Sequence, residues 1–191
     1  MSRAYWVKLS SSVTETIKGT DRTTHRIELD AVLPEGEMRE ILEGALAEAG
    51  WEQRDEGSYQ KTVGEVSLTW DLDKNEVEAA VESSREVSRD LNVEGRAYSQ
   101  EAAQRNADRQ LKQQQESARD AIEAEQEQLQ KKLTTALGEN EEQRVREING
   151  VLQKAYTEGL KRKARRMGNV TSIQEGTSEN GEYELTITVS E

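Results

Sequence analysis

Cysteine and phenylalanine are absent from this chain, proline and histidine occur once each, and aromatic residues make up only 4%. Without thiols there is no disulfide framework, no cysteine nucleophile and no thiolate metal site. His25 is the sole imidazole, so a catalytic triad or a polyhistidine metal site would lack its partners. It alternates with Ile27 and Leu29, as a strand histidine at a core edge does. No apolar run approaches the ~18–20 residues that span a bilayer. The start, Met1 to Val7, carries no hydrophobic signal segment, so the expected location is cytoplasmic. No phosphate-binding loop, dinucleotide fingerprint or nucleophile elbow occurs. The expectation is a protein that is not an enzyme, with no cofactor and no bound metal.

What is present is charge. Charged residues reach 34% and hydrophobic ones 33%, a thin core for 191 residues. That length suits one domain with a projecting element, its globular part about 110–120 residues. The net charge of −12 is uneven. Residues 1–98 carry 12 basic and 21 acidic side chains, residues 99–138 carry 6 and 7, and residues 169–191 carry none and 5. Residues 139–168 alone are net basic, with 8 against 5. An acidic body does not suit phosphate-backbone binding, which needs clustered Lys and Arg.

The longest feature is helical. From Ser99 to Gly168 there is no proline, and Ala107, Leu111, Ala118, Ile122, Leu129 and Leu133 recur at steps of 4 and 7. An 11-residue repeat is 3.67 residues per turn, a nearly straight helix with a narrow apolar seam. Such a seam makes contacts, not a pocket. Gly138 is placed to end this first arm, and Asn140 with Gln143 three residues on is a capping candidate for the second. The second arm places Val145, Ile148, Leu152, Ala155, Tyr156, Leu160, Ala164 and Met167 at steps of three and four. The arms are expected to pack antiparallel, Leu129 and Leu133 opposite Val145 and Ile148. Arm one, about 39 residues to arm two's 28, is left to meet a protein partner or a second copy through Leu111, Ile122, Leu129 and Leu133.

The flanks read as β structure. Tyr5, Val7, Leu9, Val13 and Ile17 share one face of a strand, opposed by Lys8, Ser10, Ser12, Thr14 and Thr16. Lys18 to Asp21 reads as a turn, and a second strand carries His25, Ile27 and Leu29 until Pro34. A helix is expected over Glu37–Ala49, ended by Gly50. Strands follow near Trp51–Gln53, Ser58–Val63, Val66–Leu72 and Val77–Val81, then a weak transition over residues 84–98. At the far end, Asn180-Gly181 between alternating runs is a strong hairpin signal. Both ends contain helix, Gly, strand, turn, strand, so an internal duplication with arm one inserted between its halves is one reading, and chance recurrence of a common unit the other.

The expected fold is therefore α+β: an antiparallel sheet built from both chain ends, one short packed helix, and a long projecting antiparallel helical hairpin. Its segments are 1–98 for the body, 99–168 for the hairpin, and 169–191 for a β-hairpin completing the body. Trp6, Trp51 and Trp70 are expected to fill the core of a chain without phenylalanine. Two further patterns hold candidate chemistry. Asp71, Asp73, Asn75 and Glu82 have the 1, 3, 5, 12 spacing of a calcium loop, but position 6 is Glu76 where that loop needs Gly, and an ordinary β-turn explains them equally. Lys161, Arg162, Lys163, Arg165 and Arg166 form the one dense basic run. They offset the helix dipole, and they could also receive an acidic partner or nucleic acid.

Leu160 to Glu175, with Glu182 to Val189, resembles the tail of small bacterial and plastid accessory proteins encoded beside AAA-family ATPases. The likeness covers roughly the last 30 residues, with a fainter echo at Leu46–Trp51. It implies an accessory role beside an ATPase machine and brings no catalytic motif.

Overall fold

The computed structural model describes residues 4–177 and 183–190. The elements in chain order are β1 (Tyr5–Arg26), α1 (Glu35–Glu48), β2 (Glu52–Asp55), β3 (Ser58–Val63), β4 (Val66–Asp71), β5 (Glu76–Ala97), α2 (Gln100–Glu139), α3 (Glu141–Met167), β6 (Asn169–Thr177) and β7 (Tyr183–Ser190). The fold is α+β, as expected. Five strands are hydrogen-bonded in the order β1-β5-β4-β3-β2, and the described β4–β5, β3–β4 and β2–β3 ladders are antiparallel. The long helix pair breaks at Asn140, as the Gly138–Asn140 signals foretold. The two chain ends do not share a sheet: β6 and β7 pair only with each other. The Asn180-Gly181 turn lies outside the described residues.

The chain forms two compact units whose boundaries cut across the expected segments. The first is Met1–Asp21 with Val81–Leu137; the second is Arg22–Ala80 with Gly138–Glu191.

In the first unit, β1 and β5 form a two-stranded ribbon with α2 against one face. The expected turn at Lys18–Asp21 is uninterrupted strand. Gly19 is there for close approach: a Cβ on it would lie 2.7 Å from Leu133 Cδ1 and 3.4 Å from Leu129 Cγ. At the other end, Gly95 on β5 lies directly beneath Ala103 and Ala107, both fully buried. The seam of α2 thus meets strands. Leu129 and Leu133, expected opposite Val145 and Ile148, line Gly19. The weak stretch 84–98 is also strand, because inward positions that look polar are satisfied by the helix. Arg85 and Arg89 on β5 both pair with Glu125 on α2, Arg85 at 3.0 Å.

The second unit holds the aromatic core. Trp70 is fully buried beside Val66, Leu68 and Val77, and its ring meets Trp51 edge-on at 5.7 Å. Helix α1 buries Met38, Ile41, Leu42, Ala45 and Leu46. Gly50 follows it in the left-handed conformation, φ 79°, which ends a helix at little cost for Gly. Against α1 packs α3, whose Gly159 lets Met38 Sδ come within 3.1 Å of where a Cβ would stand. Lys61 on β3 ties these layers together: its ammonium donates to the Ala49 carbonyl at 2.6 Å and pairs with Glu147 of α3.

Candidate functional site

Helices α1 and α3 and the β6–β7 pair enclose a groove of about 790 Å³ within the second unit. Gly44 and Gly150, neither with another atom near its missing Cβ, keep its walls open. The basic run reaches it through Lys161 and Arg162. Here each cation already has a carboxylate. Lys161 pairs with Glu175, whose other oxygen accepts from Tyr183 Oη at 3.1 Å. Thr157 Oγ1 donates to that same Tyr183 oxygen at 3.2 Å. Arg162 lies 3.1 Å from Glu158 and 3.8 Å from Glu40. Beyond the groove, Arg166 forks onto Glu37 at 3.1 and 2.5 Å.

The electrostatics follow from these pairs. Hydrogen bonds from Lys161 and then Tyr183 hold the Glu175 carboxyl below the usual carboxylate range. The Arg166 guanidinium does the same to Glu37. The bond to Glu175 in turn raises the Lys161 ammonium. Carboxylates held ionised and occupied by cations are poor general bases and poor nucleophiles. The arrangement clamps α3 to α1 and to the C-terminal strands.

The structure places the other candidate residues as follows. Of the basic run, Lys163 and Arg165 remain exposed, with no ion pair among the described residues. On α2, Ile122 is 1% exposed and Leu133 is buried, while Leu111 and Leu129 are half-buried. Their own chain covers Ile122 and Leu133, and Leu111 and Leu129 in part. Gln115 on α2 donates to Ser11 Oγ on β1 at 3.4 Å, and Glu125 holds its two arginines.

The calcium-like spacing is an ordinary turn. Asp71 Oδ1 accepts the backbone N–H groups of Asp73 and Lys74 at 3.1 and 3.0 Å. Lys74 Nζ takes its other oxygen at 2.6 Å, and Arg39 takes Asp73. Among the described residues no group of three or more His, Asp or Glu is arranged to hold a metal.

One expectation is corrected outright. Trp51 and Trp70 are core, but Trp6 is 58% exposed, with Arg96 stacked 5.0 Å from its ring centre. Its even position, shared with Lys8 and Ser10, placed it on the polar face of β1 all along. Sequence reasoning also missed two amides on α2. Gln130 and Asn106 bind strand backbone on β1 and β5. Their spacing holds no signal, since any Gln on that face reads as solvated.

The class these observations define is an α+β protein whose charged groups bind one another. More particularly, the family model described as FtsH ternary system domain X5 matches residues 1–190, and the chain belongs to that family. The resemblance to accessory proteins of AAA-family ATPases agrees with this, and the match runs through the whole chain where only its tail was expected. No curated protein and no solved structure matches the chain. No helix among the described residues is long and apolar enough to cross a membrane.

Proposed function

We propose that this chain is a non-enzymatic adaptor or assembly subunit that binds the AAA-family ATPase of an FtsH system. The observation that carries the reading is the family match across residues 1–190. The contact surface is the exposed side of α3. Val145, Leu160 and Met167 on α3 are exposed, Met167 by 75%. Leu160, Lys163 and Met167 lie at steps of three and four, on one side of the helix. An apolar stripe beside Lys163, which has no ion pair among the described residues, suits a protein surface with apolar and acidic groups.

The test is recovery of the FtsH-family ATPase from the native host by the tagged chain. Replacing Leu160 and Met167 together by Asp is expected to cut recovery about tenfold or more, the effect of losing interface anchors. Unchanged recovery by that variant removes the α3 surface from the reading. No ATPase recovered by the unaltered chain removes the reading itself. Salt-sensitive recovery of nucleic acid through Lys163 and Arg165 is the competing outcome.

A further inference from the structure

We propose that the cavity between the start of α1, residues 29–33 and the turn after β4 receives a basic, apolar segment of a partner protein, with an apolar side chain inside and Lys or Arg beside it. The inference rests on the adaptor reading only in supposing a protein partner.

The floor of the cavity comes first. It holds about 430 Å³ and lies wholly within the second unit. Leu33, Met38, Leu42 and Leu72 line it, each no more than 6% exposed, and Leu29 is half-buried beside them. Binding pockets are typically hollows of about 300–1,000 Å³, mostly apolar, with a few polar groups that orient the ligand. An apolar side chain placed here leaves water and covers apolar surface on both partners.

The polar groups of the lining are acidic and uncompensated. From Ile27 to Met38 the chain holds Glu28, Asp30, Glu35 and Glu37 and no cation. Arg166 takes Glu37. Asp30 and Glu35 line the cavity, are exposed, and have no ion pair among the described residues. The one cation of the lining is already engaged. Arg39 Nη1 donates to Asp73 at 2.6 Å, and Arg39 Nε donates to Glu43 at 3.3 Å. Gly57 lies so close that a Cβ on it would stand 2.6 Å from Arg39 Nη2. A Lys or Arg of the occupant supplies the charge that Asp30 and Glu35 lack. The net charge of −12 draws a basic segment in and repels an acidic one.

The backbone of the wall favours a polypeptide over a small organic cation. Asp30 N–H donates to Tyr156 Oη at 2.8 Å, and Val32 N–H to the Asp30 carbonyl at 2.9 Å. Among the described residues the N–H groups of Leu29, Ala31 and Leu33 have no acceptor. An extended segment laid along this wall brings carbonyls to them. A second copy fits less well. It carries the same net charge, and its dense basic run lies on a helix, where Lys161, Arg162 and Arg166 are paired within the chain.

The test labels the methionine methyls of the full chain with carbon-13 and follows them by NMR. Of the three methionines, Met38 lines the cavity, and Met167, 75% exposed on α3, reports on the adaptor surface. A blocked peptide of two leucines flanked by arginines is expected to shift the Met38 signal to saturation and leave Met167 in place. The peptide flanked by glutamates, or with serines for its leucines, should bind about tenfold or more weakly. Asp30→Asn with Glu35→Gln should weaken the arginine peptide about three- to tenfold, the effect of losing two exposed pairs. Glu52→Gln on β2, outside the lining, should leave it unchanged. Should the double variant fail to fold, the peptides decide alone. Equal binding of the arginine and glutamate peptides, a Met167 shift as large as that of Met38, or no shift at Met38 overturns the proposal. So does n-butylguanidinium binding as tightly as the peptide, which assigns the cavity to small cations. A doubled mass in light scattering that the arginine peptide reverses also overturns it, by assigning the cavity to a second copy. No Met38 response with ATPase recovery intact refutes only the cavity, and the reverse refutes only the adaptor reading.

Discussion

Gly95→Ala tests whether α2 is pressed onto the ribbon. The added Cβ would stand 2.0 Å from the Ala103 carbonyl oxygen, 2.7 Å from Ala107 N and 2.9 Å from Ala107 Cβ. Two of these are backbone atoms that cannot rotate aside. Restoring an ordinary contact near 3.4 Å requires the start of α2 to lift by about 1.4 Å. A gap of that size forfeits much of the dispersion around Ala103 and Ala107, both 0% exposed. Overpacking costs about 1–3 kcal/mol, and the rigid obstacle puts this site at the upper end. Alanine returns about 0.5–1 kcal/mol by restricting the unfolded chain. The expected net loss is about 2 kcal/mol. Gly19→Ala meets only the end of Leu133, a side chain that can turn, and should cost about 1 kcal/mol. Gly150→Ala, inside α3 with nothing within 4 Å, should gain about 0.5–1 kcal/mol. Urea unfolding followed at 222 nm, where the 40 residues of α2 dominate, measures all three. If Gly95→Ala lies within about 0.5 kcal/mol of the parent, or costs less than Gly19→Ala, the helix does not lie where the argument needs it.

Glu125→Gln leaves Arg85 and Arg89, both half exposed, facing a neutral group and should cost about 0.5–1 kcal/mol in the same urea experiment. Lys61→Met removes a donor to the Ala49 carbonyl and a pair with Glu147, and a loss of about 1–2 kcal/mol is expected by thermal melting. Cutting the chain after Gly168 removes a separate two-stranded sheet, so Trp51 and Trp70 should keep their native fluorescence; an unfolded emission spectrum would show that β6 and β7 hold up the core. Glu37, Asp71 and Glu175 titrate below the usual carboxylate range, each chiefly because a cation's side chain donates to it. Folding is therefore favoured above their unfolded values and that contribution is lost as pH falls through the folded ones, so Tm should drop below about pH 4. Lys161→Met should flatten that drop in a pH series of melts.

The helix pair, its break at Asn140 and the α1 helix were legible because period and punctuation agreed. The 11-residue seam was legible as a face, and every residue named on it is buried or half-buried. What that face meets was not written in it. A narrow apolar stripe is the same whether a helix, a second chain or a ribbon lies opposite. The ribbon itself was hidden by two glycines and two arginines. Gly19 resembled a turn because glycine serves both turns and close approach, and only the position of Leu133 distinguishes them. Arg85 and Arg89 broke the apolar alternation of β5, since their partner Glu125 is 36–40 residues away. The basic run was legible as cation-rich, but its occupancy depends on Glu37, as far as 129 residues back along the chain.

Length ties these observations into one constraint. The contacts of Lys8 with Glu94, Ser10 with Asn92 and Thr14 with Ser88 set Ser83 opposite Gly19, twelve residues along β5 from Gly95, which is about 40 Å of strand. The helix positions over the two glycines centre on residues 105 and 131, and 26 residues of helix span about 39 Å. Helix and ribbon therefore advance together. A repeat of 11 on the helix covers about 16.5 Å, the same as five strand residues, but five reverses the face of a strand. Only the doubled step, 22 against ten, restores length and both faces, at about 33 Å. Removing 22 residues from α2 with ten from each strand should thus leave a shorter first unit with its seam intact. Removing 11 with five should turn the lysines and hydroxyls of β1 inward. The first shortened chain is expected to melt cooperatively and the second to lose its helical signal. If both fold equally well, the seam is not what holds α2 to the ribbon.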